Sequence, residues 1–352
     1  MPYQVSIQPS GHQFSVNEDE TILEAALREG FSLPYGCRNG ACGSCKGKVL
    51  SGQLDYGKHS PTALKDEEKA QGRALFCRAK PLSDMIIEVN EIGAAKDIVV
   101  KTLPCRVEKL EKRADDVMVV KIKIPANERL QFLAGQYINF QLKDGKARSY
   151  SLANPPHDDA LLELHIRHVP GGLFSDQVFS TLKARDILRL KGPLGSFFIR
   201  EDSDKPMIFI AGGTGFAPIK GMLEHAFSEH TDRELILYWG ARSLKDLYMA
   251  ELPQQWLAER PNFSFIPVLS NPEPVDQWQG RTGFVHDAVL DDFADSRFVN
   301  LQHGRKHAVI PATLLNERFN QLAWGAKFLV FHVCIIAHKP LNAQIGKLYF
   351  YA

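Results

Sequence analysis

The sequence predicts a chain of several folded units that mixes α+β and α/β architecture, and three observations carry that expectation. The 352 residues exceed what a single core usually organises. A glycine-rich loop near the start holds three cysteines within nine positions, "CRNGACGSC", while the middle of the chain consists of short alternating stretches. Beyond residue 203, continuous apolar runs alternate with amphipathic ones, the pattern of strands covered on both faces by helices. The expected order is a small α+β unit, an antiparallel barrel and a Rossmann-like doubly wound sheet.

Composition sets outer limits. Of the residues, 44% are hydrophobic and 24% charged, and the formal net charge is +1. That balance gives no electrostatic reason to expect nucleic acid or an anionic membrane as partner. The opening "MPYQVSIQPSGHQF" has no basic stretch followed by an apolar run, so no signal peptide is read. The longest apolar run, Phe328 to Ala337, is too short for a membrane span. The expectation is a cytoplasmic protein, where clustered cysteines are more often metal ligands than disulfides.

In the first unit "YQVSIQ" and "MIIEVN" read as strands. "TILEAALREG" reads as a helix capped by Thr21, with Glu24 as capping-box partner and Gly30 as stop. Cys37, Cys42 and Cys45 follow C-x4-C-x2-C, and Cys77 stands far downstream in "ALFCRAK". This is the plant-type [2Fe–2S] spacing. Zinc is the competing reading, but zinc sites usually pair C-x2-C units or mix in histidines, and no histidine neighbours either cysteine group. Gly36, Gly40 and Gly43 suit a loop that must reach positive φ and bring amides towards sulfur. Cys105 and Cys334 lie outside the pattern and read as small buried hydrophobes. Over roughly residues 1–92 the sequence resembles the plant-type ferredoxins, which implies a β-grasp domain with the cluster near its surface.

Residues 93–103 read as a linker into a unit spanning 104–202. In "MVVKIKI" the residues Met118, Val120, Ile122 and Ile124 share one strand face; Ile138, Phe140 and Leu142 do so next, then Leu162, Leu164 and Ile166. Short strands with turn residues between them make an antiparallel barrel or sandwich. "ARSYSLAN", "RHVPGGLFSDQVF" and "KGPLGSFF" follow at intervals that resemble the flavin domain of the ferredoxin–NAD(P)H reductase family. The resemblance implies that Tyr150 lies against a flavin ring, Ser151 bonds near its reactive nitrogen and Arg148 neutralises flavin phosphate. It makes Tyr150 and Ser151 the catalytic pair, and FAD the expected flavin. A flat aromatic matches the ring and a guanidinium a pyrophosphate. Gly171, Gly172, Leu173 and Ser175, at a turn leading into a helix, complete the expected phosphate site.

Residues 203–298 form the third unit. "MIFIA" is a buried strand ending in "GGTGFAP", with Pro218 in the first turn of the helix that follows. Strand, glycine turn and helix start together make an anion site. "ELILYWGAR" and "SFIPVLSNP" repeat the pattern, as a doubly wound sheet requires. The resemblance places a nicotinamide nucleotide over Gly212, Gly213, Thr214, Gly215 and Pro218, with Arg242 near ribose or phosphate. Asp246 and the lack of an obvious basic pair tilt the expectation of NAD(P)H towards NADH.

The implied activity is an NAD(P)H-dependent reductase that passes electrons through FAD to the [2Fe–2S] cluster. The implied partner is an electron-acceptor protein, an oxygenase or an iron–sulfur dehydratase of deoxysugar formation. The order of units is that of single-chain reductases serving bacterial oxygenases, close to the CDP-6-deoxy-glucoseen reductase-like group. Residues 299–352 break the pattern: the family's Cys-Gly-Pro motif is missing, and one acidic residue, Glu317, stands in the last 54 against 40 in the preceding 298. A reading-frame change is one account of that tail. It leaves a second reading open, a ferredoxin-like one-electron carrier with an impaired reductase half and a nucleotide sheet short of one strand. Residues 1–96 hold 11 Lys and Arg against 12 Asp and Glu, so composition alone announces no docking patch.

Overall fold

The computed structural model of the chain describes residues 2–92, 98–142, 144–201, 203–293, 332–337 and 348–351. The tail expected at 299–352 therefore lies outside the described residues apart from two short strands, and so does the side chain of Cys334.

The first unit is a mixed five-stranded sheet gripping one helix. Its elements run β1 (Tyr3–Gln8), β2 (Gln13–Val16), α1 (Ile22–Arg28), β3 (Lys46–Ser51), β4 (Leu54–Asp55), α2 (Asp66–Ala70), β5 (Arg73–Leu75), β6 (Lys80–Pro81) and β7 (Met85–Glu88). The sheet order is β2-β1-β7-β3-β5, with β1 and β7 parallel and the other pairs antiparallel. Helix α1 starts where the sequence places it: Thr21 accepts from the Glu24 amide, and the Glu24 carboxylate reaches back to the Thr21 amide. Such a cap stabilises by about 1 kcal/mol. Ile22 and Leu23 are fully buried against Val5, Ile7 and Ile87 of the sheet, and each contributes about 1.5–3 kcal/mol by leaving water.

The second unit begins with β8 (Lys101–Ala114), inside the segment read as a linker, and continues with β9 (Val117–Lys123), β10 (Tyr137–Gln141), β11 (Ala147–Ser151), β12 (Leu162–Arg167), α3 (Leu173–Ser180) and β13 (Ile187–Leu194). The six strands run in the order β11-β10-β13-β8-β9-β12, and a bridge between Leu152 and Leu164 joins the two edges into a barrel. Val120, Ile122, Ile138, Phe140, Leu162, Leu164 and Ile166 fill it, while Met118, Ile124 and Leu142 are partly buried around it. One expectation fails here. Alternation on β12 predicts a solvated outer face, yet Glu163 and His165 are buried too, because the third unit packs against them.

That unit comprises β14 (Met207–Gly212), α4 (Phe216–Ser228), β15 (Leu235–Ala241), α5 (Glu251–Glu259), β16 (Phe263–Leu269), β17 (Arg281–Thr282) and α6 (Val285–Asp292). Strands β14 to β17 are parallel neighbours. Helices cover both faces: α4 and α5 pack on Phe209, Leu237 and Trp239, and α6 packs on Ile208, Ile210 and Tyr238. This is the doubly wound sheet. The tail adds β18 (His332–Ala337), antiparallel to β14, and β19 (Leu348–Tyr351) beside it, so β14 is not left as an open edge.

Candidate functional site

The cluster loop brings the four sequence-singled cysteines together as two pairs. The Cys37 amide donates to the Cys42 sulfur at 3.4 Å and the Cys42 amide to the Cys37 sulfur at 3.3 Å. The thiol of Cys45 in turn lies within hydrogen-bond reach of Cys77. All four are free thiols, as is the buried Cys105. The Cys42 thiol, then the amides of Asn39, Ala41 and Cys42, hold the Cys37 thiol down at about 5, whereas its partner is pushed up. Cys77 is lowered by Cys45 and by the Gly40 amide, and Cys45 is raised.

Among the described residues, no three His, Cys, Asp or Glu side chains converge on a single ion. Two thiol pairs side by side are what a two-iron cluster needs, and one tetrahedral zinc needs four ligands on one centre. The donor set therefore fits a [2Fe–2S] cluster. Gly40 and Gly43 adopt the positive φ values expected of them, +80° and +82°, and a Cβ on Gly40 would meet Arg78 at 2.9 Å. Gly36 does not; the third left-handed residue of the loop is Arg38, at +60°.

This loop is tied to the barrel. The Tyr35 amide donates to Ser196 Oγ at 2.8 Å, and that hydroxyl donates to the Tyr35 carbonyl at 2.7 Å. The Ser196 amide reaches the same carbonyl at 3.1 Å. Tyr137 donates its hydroxyl to the Gly36 carbonyl at 3.0 Å. Tyr137 sits directly across the β10–β11 pair from Ser151, and Ile138 sits across from Tyr150. The strand pairing thus sets the candidate flavin residues next to the side chain that grips the cluster loop.

The ring of Tyr150 packs 5.6 Å from Phe174 and 6.0 Å from Phe140, and burial raises its phenol to about 12 against the pull of Arg148. It stays protonated at neutral pH. Arg148 is half-buried on the same strand, with one guanidinium nitrogen on the Ala147 carbonyl. Gly171 takes a φ of +77° with open space around it, Gly172 forms the N-cap of α3, and Leu173, half exposed, begins the helix. The amides of that helix start form the cradle a phosphate needs. Ser175 departs from expectation. Its hydroxyl accepts from the Val169 amide and donates to the Val169 carbonyl, so it shapes the loop and is not free for a ligand.

At the carboxyl ends of β14 and β15 lies a cleft of about 430 Å³ lined by Gly212, Gly213 and Arg242. Gly213 has a φ of +52°, and a Cβ there would meet the Arg167 guanidinium at 2.8 Å. The Trp239 indole holds the turn by donating to the Gly213 carbonyl at 3.0 Å. Thr214, Gly215 and Pro218 do not reach the lining: the chain turns inward in a 3-10 turn over Gly213–Gly215, burying Thr214, and Pro218 is buried within α4. Arg167, Asp116, Lys245, Glu273 and His286 line the cleft without having been singled out from the sequence. Arg167 stands in the quoted "RHVPGG" stretch; the others carry no local signal. Lys245 pairs with Glu273 at 2.7 Å, and Asp246 accepts from the Ser243 amide and hydroxyl.

Between barrel and doubly wound sheet a buried polar relay fixes the interface. His165 bonds Tyr248 through Nδ1 at 2.8 Å and Glu163 through Nε2 at 3.0 Å. Lys220 reaches Glu163 at 3.3 Å and the Ala153 carbonyl at 3.3 Å. Burial raises the Glu163 carboxyl, but His165, Lys220 and Lys121 outweigh it and hold the group well below its ordinary range. Burial keeps His165 neutral. With Glu163 only accepting, Nε2 carries the proton and Nδ1 accepts from the phenol.

Comparison with known proteins agrees with this architecture. Three family models match: "2Fe-2S iron-sulfur cluster binding domain" over residues 5–82, "Oxidoreductase FAD-binding domain" over 104–199 and "Oxidoreductase NAD-binding domain" over 209–310. The CDP-6-deoxy-L-threo-D-glycero-4-hexulose-3-dehydrase reductase of Yersinia pestis is 38% identical over 312 residues, covering 89% of this chain and 93% of its own. The reductase component of phenol 2-monooxygenase from Pseudomonas sp. (strain CF600) is 39% identical over 303 residues, covering 85% and 84%. Among solved structures, the Amycolatopsis cytochrome P450 reductase GcoB superposes with a TM-score of 0.66 at 37% identity, covering 83% of this chain and 87% of its own. Fold and site define an iron–sulfur flavoprotein oxidoreductase. The chain belongs to the ferredoxin–NAD(P)H reductase family, with domains for a [2Fe–2S] cluster, FAD and NAD, and it passes electrons on to an acceptor protein.

Proposed function

We propose that this reductase takes its electrons from NADH and serves an oxygenase or an iron–sulfur dehydratase in the cytoplasm. One observation carries the reading of its electron path. Ser151, opposite Tyr137 on paired strands, lies one side chain away from the backbone of the cluster loop. Cysteines 37, 42, 45 and 77 hold the cluster, and the α3 start with Gly171, Gly172 and Leu173 receives flavin phosphate beside Arg148. Tyr150, its phenol kept protonated by burial, covers the flavin ring, and Ser151 orients it. When bound, the flavin accepts the pair of electrons of a hydride and releases them singly to the cluster. Gly212, Gly213 and Arg242 hold the nicotinamide nucleotide.

The preference for NADH is supported by the cleft rim. Arg242 and Lys245 both line it, but Lys245 is neutralised by Glu273 and so offers little to a 2′-phosphate. The named relatives, a dehydrase reductase and a phenol monooxygenase reductase component, support the two classes of acceptor. The test is anaerobic addition of NADH to the purified holoprotein with no other reductase present. Bleaching of both the flavin and the cluster bands is expected; a cluster that stays oxidised would leave only a one-electron carrier.

A further inference from the structure

The charge balance of the cluster-bearing unit is nearly even in sequence but uneven in space. The loops that surround the cysteines, residues 36–46, 56–60 and 77–80, contain Arg38, Lys46, Lys58, Arg78 and Lys80 and no carboxylate. Lys46 is tied to Glu68 at 2.8 Å and Lys80 reaches Asp19 at 3.8 Å. Among the described residues, Arg38, Lys58 and Arg78 make no ion pair, and the nearby Asp55 accepts from the Gly57 amide.

Arg38 and Arg78 are held in place beside an accessible edge, and Lys58 stands on a loop that Arg78 anchors. Cys37 is exposed, the outermost of the four ligands. Next to it Arg38 takes a left-handed backbone at φ +60°, with its guanidinium 5.9 Å over the Tyr35 ring. A non-glycine residue in that region is strained, and the surrounding loop must offset the strain. Arg78 donates through Nε to the Lys58 carbonyl at 3.0 Å and packs where a side chain on Gly40 would have to go. It thereby ties the loop carrying Lys58 to the cluster loop. Lys58 itself is exposed.

We propose that this rim of Arg38, Lys58 and Arg78 around Cys37 is the docking surface for the electron acceptor, and that the acceptor presents carboxylates around its own redox centre. The proposal rests on the reading that the cluster is the exit point for electrons. Long-range attraction between a basic rim and an acidic face would orient the two proteins so that the exposed cluster edge leads. A purely local role, offsetting the negative charge of the four thiolates, would act equally on acceptors of either sign.

The experiment uses the NADH-reduced holoprotein and two protein acceptors of opposite charge, acidic rubredoxin and basic cytochrome c, with rates measured across ionic strength. Rubredoxin reduction should slow several-fold as salt rises from about 20 mM to about 300 mM, because screening shortens the reach of the rim. Lys58→Glu, at an exposed site with no side-chain partner among the described residues, should slow rubredoxin several-fold at low salt, flatten the salt dependence and speed cytochrome c. Arg38→Glu should do the same. A salt-independent rubredoxin rate, or Lys58→Glu indistinguishable from the parent with both acceptors, overturns the docking proposal. Failure of NADH to reduce the cluster in the parent protein would instead overturn the reductase reading, and the absorbance before mixing with acceptor separates the two.

Discussion

Replacing Ser196 by alanine isolates the link between cluster loop and barrel. The substitution removes the hydroxyl that accepts from the Tyr35 amide at 2.8 Å and donates to the Tyr35 carbonyl at 2.7 Å. The carbonyl keeps the Ser196 amide, so the amide of a buried Tyr35 is the group left stranded. An unsatisfied donor of this kind costs about 1–3 kcal/mol, and about 1.4 kcal/mol is tenfold in a population. The loop should therefore leave its docked position about tenfold more often, with no change at the nucleotide cleft. In anaerobic stopped-flow, bleaching of the flavin by NADH should keep its rate while bleaching of the cluster slows threefold to tenfold. The Tyr35 amide should also exchange its hydrogen faster in the resting protein, a readout that does not depend on turnover. Tyr137→Phe, which deletes only the bond to the Gly36 carbonyl, should give a smaller effect in the same direction. Equal slowing of both phases, or no slowing with unchanged exchange, would refute the reasoning.

Three further outcomes are expected. Glu273→Gln releases Lys245; the pair is exposed and screened by solvent, so the gain is modest, and kcat/KM for NADPH should rise roughly threefold to fivefold relative to NADH, whereas an unchanged ratio would remove Lys245 from coenzyme selection. Cys77→Ser takes one thiol from a pair while leaving the barrel core intact, so purified protein should lose most of its iron but keep its flavin; co-loss of both would contradict separate sites. His165 is buried neutral and its folded pKa lies below the unfolded value of about 6.5, so the stability it contributes is complete above that value, starts to decline below it and is lost by the time pH has fallen through the folded pKa. Glu163 is likewise held low, and its contribution is complete above about 4.3 and lost only at stronger acid. The melting temperature of the parent should drop more steeply between pH 7.5 and 5.5 than that of His165→Gln; parallel slopes would dismiss the relay as the source of acid sensitivity.

The features legible in the sequence are those with local physical signatures. Thr21 and Glu24 announce a helix start because the capping box is a three-residue device, and it forms as written. The buried runs "MIFIA" and "ELILYWGA" become parallel neighbours because apolar faces on both sides leave few alternatives. The cysteine spacing locates the cluster loop, yet the sequence does not say which thiol meets which; the fold gives Cys37 with Cys42 and Cys45 with Cys77. The features that are not legible depend on contacts between units. Glu163 and His165 sit at polar positions of an alternating strand, and only Lys220 and Tyr248 arriving from the next unit reveal why they are buried. Tyr137 and Ser196 look like ordinary barrel residues until the cluster loop is laid against them. Composition hides the basic rim: 11 cations against 12 anions over residues 1–96 are near balance in number but not in position.

Electron transfer in this chain depends on two thiol pairs clasping two irons within reach of a bound flavin. Metal, sulfide and flavin analysis of the purified protein tests it most directly. Two irons, two acid-labile sulfides and one FAD per chain are expected; a single zinc with neither sulfide nor flavin would contradict it.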